Sequence, residues 1–295
     1  MGISLDSFVD KVQELRPAPP KSLYHYCPAK ALKYLVHNDS DIWCTHCNHL
    51  NDPEECWTGI RLFLSYVKEK SILPNHVFQI LDQSIRENSL LNKVLAKEGH
   101  SPIMPFSFSF SEVAESEKMW AYSDRNGYRI EFDADRIEQN AGRIQSILSK
   151  LNPKKRMSLS LWPCFYEESN RKEIASLFDA YIDDTKFLLE ALTFNPNDEA
   201  AMHHLILSLL SISPIFKAEG WSYEKEWRLI MVREDFNSIN WSNHRARSYL
   251  SSSNGGIRGF IKSFRPCPLG DIEWLKAYLE YELRDGFRGS ENEFL

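Results

Sequence analysis

The sequence lacks the short motifs by which many enzymes are recognised. It has no G-x-G-x-x-G or P-loop pattern for binding phosphate, no G-x-S-x-G nucleophile elbow and no H-E-x-x-H zinc motif. These absences count against the common nucleotide-binding, hydrolase and metalloprotease mechanisms.

Long hydrophobic runs are also missing. The longest apolar stretch, LILSLLSISPIF, is too short and too rich in serine to span a bilayer. The N-terminus, MGISLDSF, has no signal-peptide core and no Ser or Thr at position 6 for myristoylation. The net charge of -6 argues against binding nucleic acid through overall charge, although a local basic channel stays possible. We therefore expect a cytoplasmic protein with no membrane partner.

Cysteine is too sparse, at six residues, to be a disulfide framework in a chain of this size without an export signal. Cys44 and Cys47 have the C-x-x-C spacing of half a zinc site, and His46 or His49 would add a nitrogen ligand. No second spaced pair is present, and on a strand Cys44 and Cys47 would point to opposite faces. We favour core cysteines and loop histidines and assign no metal ligand, with zinc as the alternative.

Short strand patterns alternate with long helical ones. The predicted strands are LYHYC, DIWCTH, PFSFSFS, DRNGYRIEFD, residues 160–166, WSYEKEWRLIMV and FIKSFRPC. The predicted helices cover 54–69, 75–98, 171–192, 198–211 and 271–283. This order predicts an α+β fold with a split, antiparallel-rich sheet. We expect a single domain, 1–295, with helical insertions around 54–98 and 171–211.

Two strand patterns bear on the site. PFSFSFS alternates strictly between Phe and Ser, which predicts a half-buried strand. In WSYEKEWRLIMV, alternation places Glu224, Glu226 and Arg228 on one face. Either Glu226 pairs with Arg228 at a wet strand end, or two carboxylates about 7 Å apart project into a cleft. In a cleft they would hold negative charge against a cationic transition state.

Several segments resemble, in order and spacing, an uncharacterised bacterial family. They are LYHYC, LNDPEE, PFSFSF, MWAYSDRNGYRIEFD and WSYEKEWRLI, and they extend from residue 23 to about residue 232. The pattern is similar to the ADP-ribosyltransferase layout of diphtheria-type toxins, poly-ADP-ribose polymerases and DNA-modifying toxins. In that layout a first strand supplies His or Arg, a middle element supplies Ser or Tyr, and a later strand supplies Glu. Here Tyr26 and Cys27 replace the Gly and Thr of the diphtheria-type first strand.

The resemblance implies NAD as co-substrate and a set of residues that bind it. His25 would hydrogen-bond a ribose hydroxyl, although a lone His on a strand is more often structural. Tyr26 and Tyr122 would stack on nicotinamide, because a cationic ring favours aromatic faces. Ser107 and Ser109 would hydrogen-bond the dinucleotide or support the glutamate.

The resemblance also implies two catalytic carboxylates. Glu226 would bind the ribose 2′-hydroxyl and stabilise the oxocarbenium-like centre, and Glu224 would orient or deprotonate the acceptor. The expected function is transfer of ADP-ribose to RNA, DNA or protein by a toxin or anti-phage effector. An antitoxin or regulatory protein would hold it in check. The alternative is a non-catalytic nucleotide-sensing or protein-binding module of a defence system.

Overall fold

A computed structural model describes most of the chain. The described residues are 4–36, 42–46, 54–86, 104–123, 126–141, 157–233, 240–242, 245–250 and 260–286. The strands within them are β1 (Ser22–Pro28), β2 (Ile42–His46), β3 (Met104–Ser111), β4 (Gly127–Asp133), β5 (Met157–Pro163), β6 (Phe165–Tyr166), β7 (Phe216–Lys217), β8 (Glu226–Arg233), β9 (Asn240–Ser242), β10 (Arg245–Leu250) and β11 (Ile261–Pro266).

The helices lie mostly between these strands. They are α1 (Asp6–Leu15), α2 (Ala29–Val36), α3 (Glu55–Glu69), α4 (Asn75–Arg86), α5 (Glu117–Trp120), α6 (134–141), α7 (Arg171–Phe194), α8 (Glu199–Ile212) and α9 (Ile272–Gly286). Short 3-10 helices cover Ala121–Ser123, Ser213–Ile215 and Glu219–Glu224. No helix in the described ranges is long and apolar enough to cross a membrane.

The larger sheet is antiparallel and branches at β3. Its order is β11-β4-β1-β3-β2-β10-β9, while β8 pairs with β3 and β5 pairs with β8. Because β8 runs along one edge of β3, β1 and β2 share the other edge. There β1 pairs at Ser111, and β2 pairs at Ser107 and Phe106. The described chain is therefore an α+β protein with an antiparallel larger sheet, as predicted, and this sheet is open.

The sheet separates two hydrophobic cores. Phe106, Phe108 and Phe110 belong to the core that contains residues of α2, α6 and α9. On the opposite face, Ile230 and Trp162 belong to the core formed with α1, α3, α4, α7 and α8. The alternation of β3 is thus confirmed, but its half-buried character is wrong. Ser107 and Ser111 are buried, because the helices of the second core cover the face of the sheet that bears the serines. These helices are α1, α3, α4, α7 and α8.

Most predicted elements are confirmed, and two predicted strands differ from the observed ones. Residues 160–166 form two strands instead of one, since β5 ends before Cys164, whose N–H donates to the carbonyl of Glu226. The helix predicted over 75–98 is described through Arg86, and the remainder lies outside the described residues. The single-domain prediction stays a prediction.

The strand predicted over 221–232 begins only at Glu226. Residues Glu219–Glu224 form a 3-10 helix, and Lys225 has the left-handed backbone conformation, with φ of 43°. Contacts with the end of β3 hold this geometry: the Ser111 hydroxyl donates to the Glu224 carbonyl at 2.5 Å. The N–H of Glu112 donates to the carbonyl of Lys225 at 3.1 Å. The acidic front half is therefore a turn that leads into the strand.

Candidate functional site

Five buried charged side chains meet where β8 begins. We call them the charged cluster: Glu55, Lys217, Glu224, Glu226 and Arg228. The ammonium group of Lys217 donates to the carboxylates of both Glu224 and Glu226. The guanidinium group of Arg228 donates to Glu226 through Nε at 2.7 Å and to Glu55 through Nη2. Three carboxylates are thus held by two cations.

Four separate elements bring these side chains together. Glu226 and Arg228 are two residues apart on β8 and therefore face the same side of the sheet. Lys217 comes from β7, and Glu55 comes from the first turn of α3. The left-handed Lys225 lets Glu224 point back to the same ammonium group. On a regular strand, alternation would have placed Glu224 and Glu226 on one face. Here the turn at Lys225 instead brings both carboxylates to the ammonium group of Lys217.

Two further hydrogen bonds, to a backbone carbonyl and to a tyrosine hydroxyl, enclose the cluster. The Pro214 carbonyl accepts from Nη1 of Arg228 at 2.7 Å. The Tyr166 hydroxyl accepts from the N–H of Glu226 at 2.8 Å. Such partners are needed, since a buried charge without them is strongly unfavourable.

The two glutamates have opposite electrostatic environments. Burial works against a charge on Glu226, but the nearby Arg228 and Lys217 more than offset it and hold its pKa well below the usual 4.5. Burial raises the pKa of Glu224 above 4.5, although Lys217 opposes this. Glu226 is therefore a fixed anion, whereas Glu224 is the carboxyl group that more readily takes up a proton.

The Glu224 side of the cluster leads to half-buried aromatic side chains. The Tyr122 hydroxyl donates to Oε1 of Glu224 at 2.5 Å and lies 3.4 Å from the Tyr223 hydroxyl. The Lys118 ammonium lies 4.6 Å from the centre of the Tyr223 ring. Trp221 packs beside Tyr223, with ring centroids 6.2 Å apart. Glu224 is thus hydrogen-bonded to a group of half-buried aromatic side chains.

His25 does not reach this site. The register pairs Tyr24 with Ser111 and Ser111 with Glu226, so Tyr24 shares the face of Glu226 and the adjacent His25 faces the other way. The imidazole stacks on Phe108 at 4.3 Å between ring centroids. The resemblance requires His25 and Glu226 to line one pocket, and the sheet places them on opposite faces.

The contacts of the His25 ring are those of a structural residue. Nδ1 lies 2.8 Å from the Ser109 carbonyl, which can only accept, so Nδ1 carries the proton. This bond forms near the point where β1 separates from β3. Burial lowers the pKa of His25, despite the opposing hydrogen bond, and favours the neutral ring.

The other predicted cofactor-binding residues lie on the Glu226 face. Tyr26 is buried and donates to the carbonyls of Val113 at 3.0 Å and Ala114 at 2.9 Å. Ser109 is half-buried and lies opposite Arg228 in the ladder. The hydroxyl of Ser107 is buried without a hydrogen-bond partner among the described residues.

The structure therefore brings together Glu224, Glu226 and Tyr122 from the predicted set. Glu226 pairs with Arg228, as one of the two alternatives expected, but both side chains are buried and the strand end is not wet. The sequence analysis assigned no role to Lys217 or to Glu55. The one sequence signal for Lys217 was its position in the otherwise apolar stretch SPIFKA, where a lone cation needs a buried partner.

The structure describes only some of the residues of the zinc alternative. Cys44 is buried in a hydrophobic core, whereas Cys47 and His49 lie outside the described residues. In the described part of the chain, no group of three or more His, Cys, Asp or Glu side chains is arranged to hold a metal ion.

Fold and site together define an α+β protein with a buried charged cluster beside half-buried aromatic side chains. Residues 119–229 match the family model described as a protein of unknown function, DUF2971. The matched segment contains Tyr122, Lys217, Glu224, Glu226 and Arg228, but neither His25 nor Glu55. No curated protein and no solved structure matches the chain.

Proposed function

We propose that the protein is an NAD-dependent ADP-ribosyltransferase whose reacting groups are Glu224 and Glu226. One observation carries the proposal: Lys217 bridges two carboxylates whose pKa values are shifted in opposite directions. Pairs of titratable groups in such opposed environments are typical of acid–base sites. Tyr122, from the middle segment of the resemblance, contacts one of the two.

Each carboxylate has a distinct chemical task. NAD supplies an ADP-ribosyl group attached to a cationic nicotinamide leaving group. As the glycosidic bond breaks, positive charge develops on the ribose, and the permanent anion of Glu226 stabilises it. The acceptor nucleophile bonds to the ribose carbon, and its proton passes to Glu224, whose raised pKa suits a general base.

The aromatic side chains beside Glu224 suit the leaving group. Tyr122, Tyr223 and Trp221 are half-buried rings beside Glu224, and aromatic faces attract a planar cation. Lys217 limits the repulsion between the two carboxylates and so keeps Glu226 charged. The proposal gives His25 no contact with NAD, because its ring lies on the opposite face of the sheet, stacked on Phe108.

The resemblance extends the proposal to the biological role. The acceptor would be RNA, DNA or protein, and the protein would act as a cytoplasmic toxin or anti-phage effector restrained by an antitoxin or regulatory protein. The negative charge of the whole chain supports a protein acceptor over nucleic acid, since steering of a polyanion needs a basic surface.

A second function is favoured by the burial of the cluster. Glu226 is 4% exposed, and its charge is fully engaged by Lys217 and Arg228. Such a cluster can also be a scaffold for a binding module that senses a nucleotide without turnover.

Release of nicotinamide from NAD separates the two functions. Wild type and Glu226→Gln are incubated with NAD and cell extract, and free nicotinamide is measured by chromatography. The transferase predicts release by wild type that falls by at least about 100-fold in Glu226→Gln. Saturable NAD binding without release would instead establish the sensing module.

A further inference from the structure

Two arginines on the outer part of the sheet share one carboxylate. Arg129 on β4 and Arg265 on β11 are ladder partners, so their side chains lie on the same face. The Nη1 atoms of both donate to a single oxygen, Oε1 of Glu115. Two guanidinium groups directed at one oxygen form a site of positive charge that an anion occupies.

The Arg129 side chain is pre-positioned by its surroundings. It is about nine-tenths buried, and its guanidinium carbon lies 4.9 Å from the centre of the Tyr24 ring. Nη1 also donates to the Ala114 carbonyl, whereas the buried Nε has no hydrogen-bond partner among the described residues. A buried donor left unpaired is costly, which indicates hydrogen-bonding capacity that Glu115 does not use.

Glu115 is a replaceable occupant of this site. It lies in the segment 112–116, which connects β3 to α5, and its side chain is 46% exposed. Its pair with the half-exposed Arg265 contributes little stability, and the buried Arg129 keeps its hydrogen bond to the Ala114 carbonyl when this carboxylate withdraws. The other nearby carboxylate, Glu131, is already bonded to the hydroxyls of Ser22 and Ser263.

We propose that Arg129 and Arg265 form a binding site for a phosphate-type anion, for which the Glu115 carboxylate is an internal stand-in. Phosphate oxygens match the planar fork of guanidinium donors and offer more acceptor positions than one carboxylate oxygen. The anion displaces Glu115 and takes the hydrogen bonds of both arginines. This site stands apart from the charged cluster, and it does not rest on the transferase proposal.

The segment that carries Glu115 is connected to the charged cluster. The same 112–116 segment supplies the carbonyls that accept from Tyr26 and leads into α5, after which comes Tyr122. Tyr122 donates to Glu224, so an anion at the arginine pair acts on the segment that positions this tyrosine.

Isothermal titration with inorganic pyrophosphate at constant ionic strength tests the site. Wild type should show saturable binding, and Glu115→Gln should bind about tenfold more tightly because the competing carboxylate is gone. Arg265→Gln should weaken binding at least about tenfold. Arg265 is 51% exposed, so this variant should keep the wild-type thermal midpoint.

Arg136→Gln is the matched control. Arg136 is 65% exposed on α6, where its side chain lies 3.8 Å from Asp133, away from the arginine pair, and its replacement should leave binding unchanged. The proposal is overturned if neither wild type nor Glu115→Gln binds pyrophosphate below about 10 mM. It is also overturned if folded Arg265→Gln binds as well as wild type. Because no NAD is used, failure here leaves the transferase proposal unaffected.

Discussion

Lys217 is the residue on which the charged cluster depends. Its side chain is 7% exposed and contacts both Glu224 and Glu226. Burial alone would lower its pKa, but Glu226 and the other nearby carboxylates raise the pKa above the ordinary 10.5. The lysine is therefore permanently charged, and it makes the burial of two adjacent carboxylates possible.

Replacing Lys217 with Met should destabilise the protein strongly. The change keeps the length of the side chain but leaves Glu224 and Glu226 without their shared cation. We expect a loss of about 3–5 kcal/mol in the free energy of unfolding, measured by urea denaturation. Lys186→Met, at an exposed position on α7, is the control and should change stability by less than about 0.5 kcal/mol. Equal, small losses in both variants would contradict this role for Lys217.

Glu224 should make stability depend on pH in a defined direction. Its pKa is raised in the folded protein, so its protonated form favours folding below pH 4.5, and this contribution is lost as pH rises through the folded pKa. Glu224→Gln fixes the neutral form. The free energy of unfolding of this variant, minus that of wild type, should therefore increase from pH 4.5 to neutral pH. A difference that is constant or falls over this range would contradict the assignment.

At the scale of elements, the close approach of α3 to the turn 213–215 shapes the cluster. That turn supplies the Pro214 carbonyl to Arg228, and α3 supplies Glu55. Gly59 of α3 allows this contact, because an added Cβ would lie 2.6 Å from Oγ of Ser213 and 2.8 Å from its Cα. A methyl group at this position has no space without a backbone shift.

Gly59→Ala should therefore destabilise the protein, although alanine has the higher helix propensity. We expect a loss of about 1–3 kcal/mol in the free energy of unfolding from overpacking. Gly220→Ala is the matched control, since nothing lies within 4 Å of the added Cβ there. Thermal or urea unfolding of both variants measures the effect. A Gly59→Ala variant as stable as the control would show that α3 packs less closely on the turn.

Local patterns predicted the elements but not their junctions. The alternation of Phe and Ser identified β3, and the helical pattern predicted over 75–98 identified α4, because both periods are local. The start of β8 was missed because contacts between Lys225 and the distant end of β3 decide it. Backbone geometry fixed by long-range partners leaves little trace in a periodic pattern.

Only part of the site was predicted, because contacts between distant residues decide which side chains meet there. Alternation placed Glu224 and Glu226 on one face of a predicted strand, and the resemblance alone gave them catalytic roles. Glu55 and Arg228 are separated by 173 positions, and a single sequence does not show that they meet. The burial of the serine face was also missed, since it depends on where the helices pack.

At the scale of the whole molecule, the two cores explain why the predicted pocket does not include His25. A sheet covered on both faces sends alternate side chains into different cores. His25 packs on Phe108 on one face of the sheet. Glu226 lies on the other face, which is covered by α1, α3, α4, α7 and α8. The catalytic proposal therefore rests on the Glu226 face alone, with Glu224 and Tyr122 as its nearest partners.

Transfer of label from radioactive NAD to macromolecules of a cell extract tests the central claim most directly. Wild type, Glu224→Gln and Glu226→Gln are compared after circular dichroism has shown that each is folded, with Glu190→Gln at an exposed position of α7 as control. The account predicts label transfer by wild type and the control, and a loss of at least about 100-fold in both cluster variants. Equal transfer by all four folded proteins, or transfer by none of them, would contradict it.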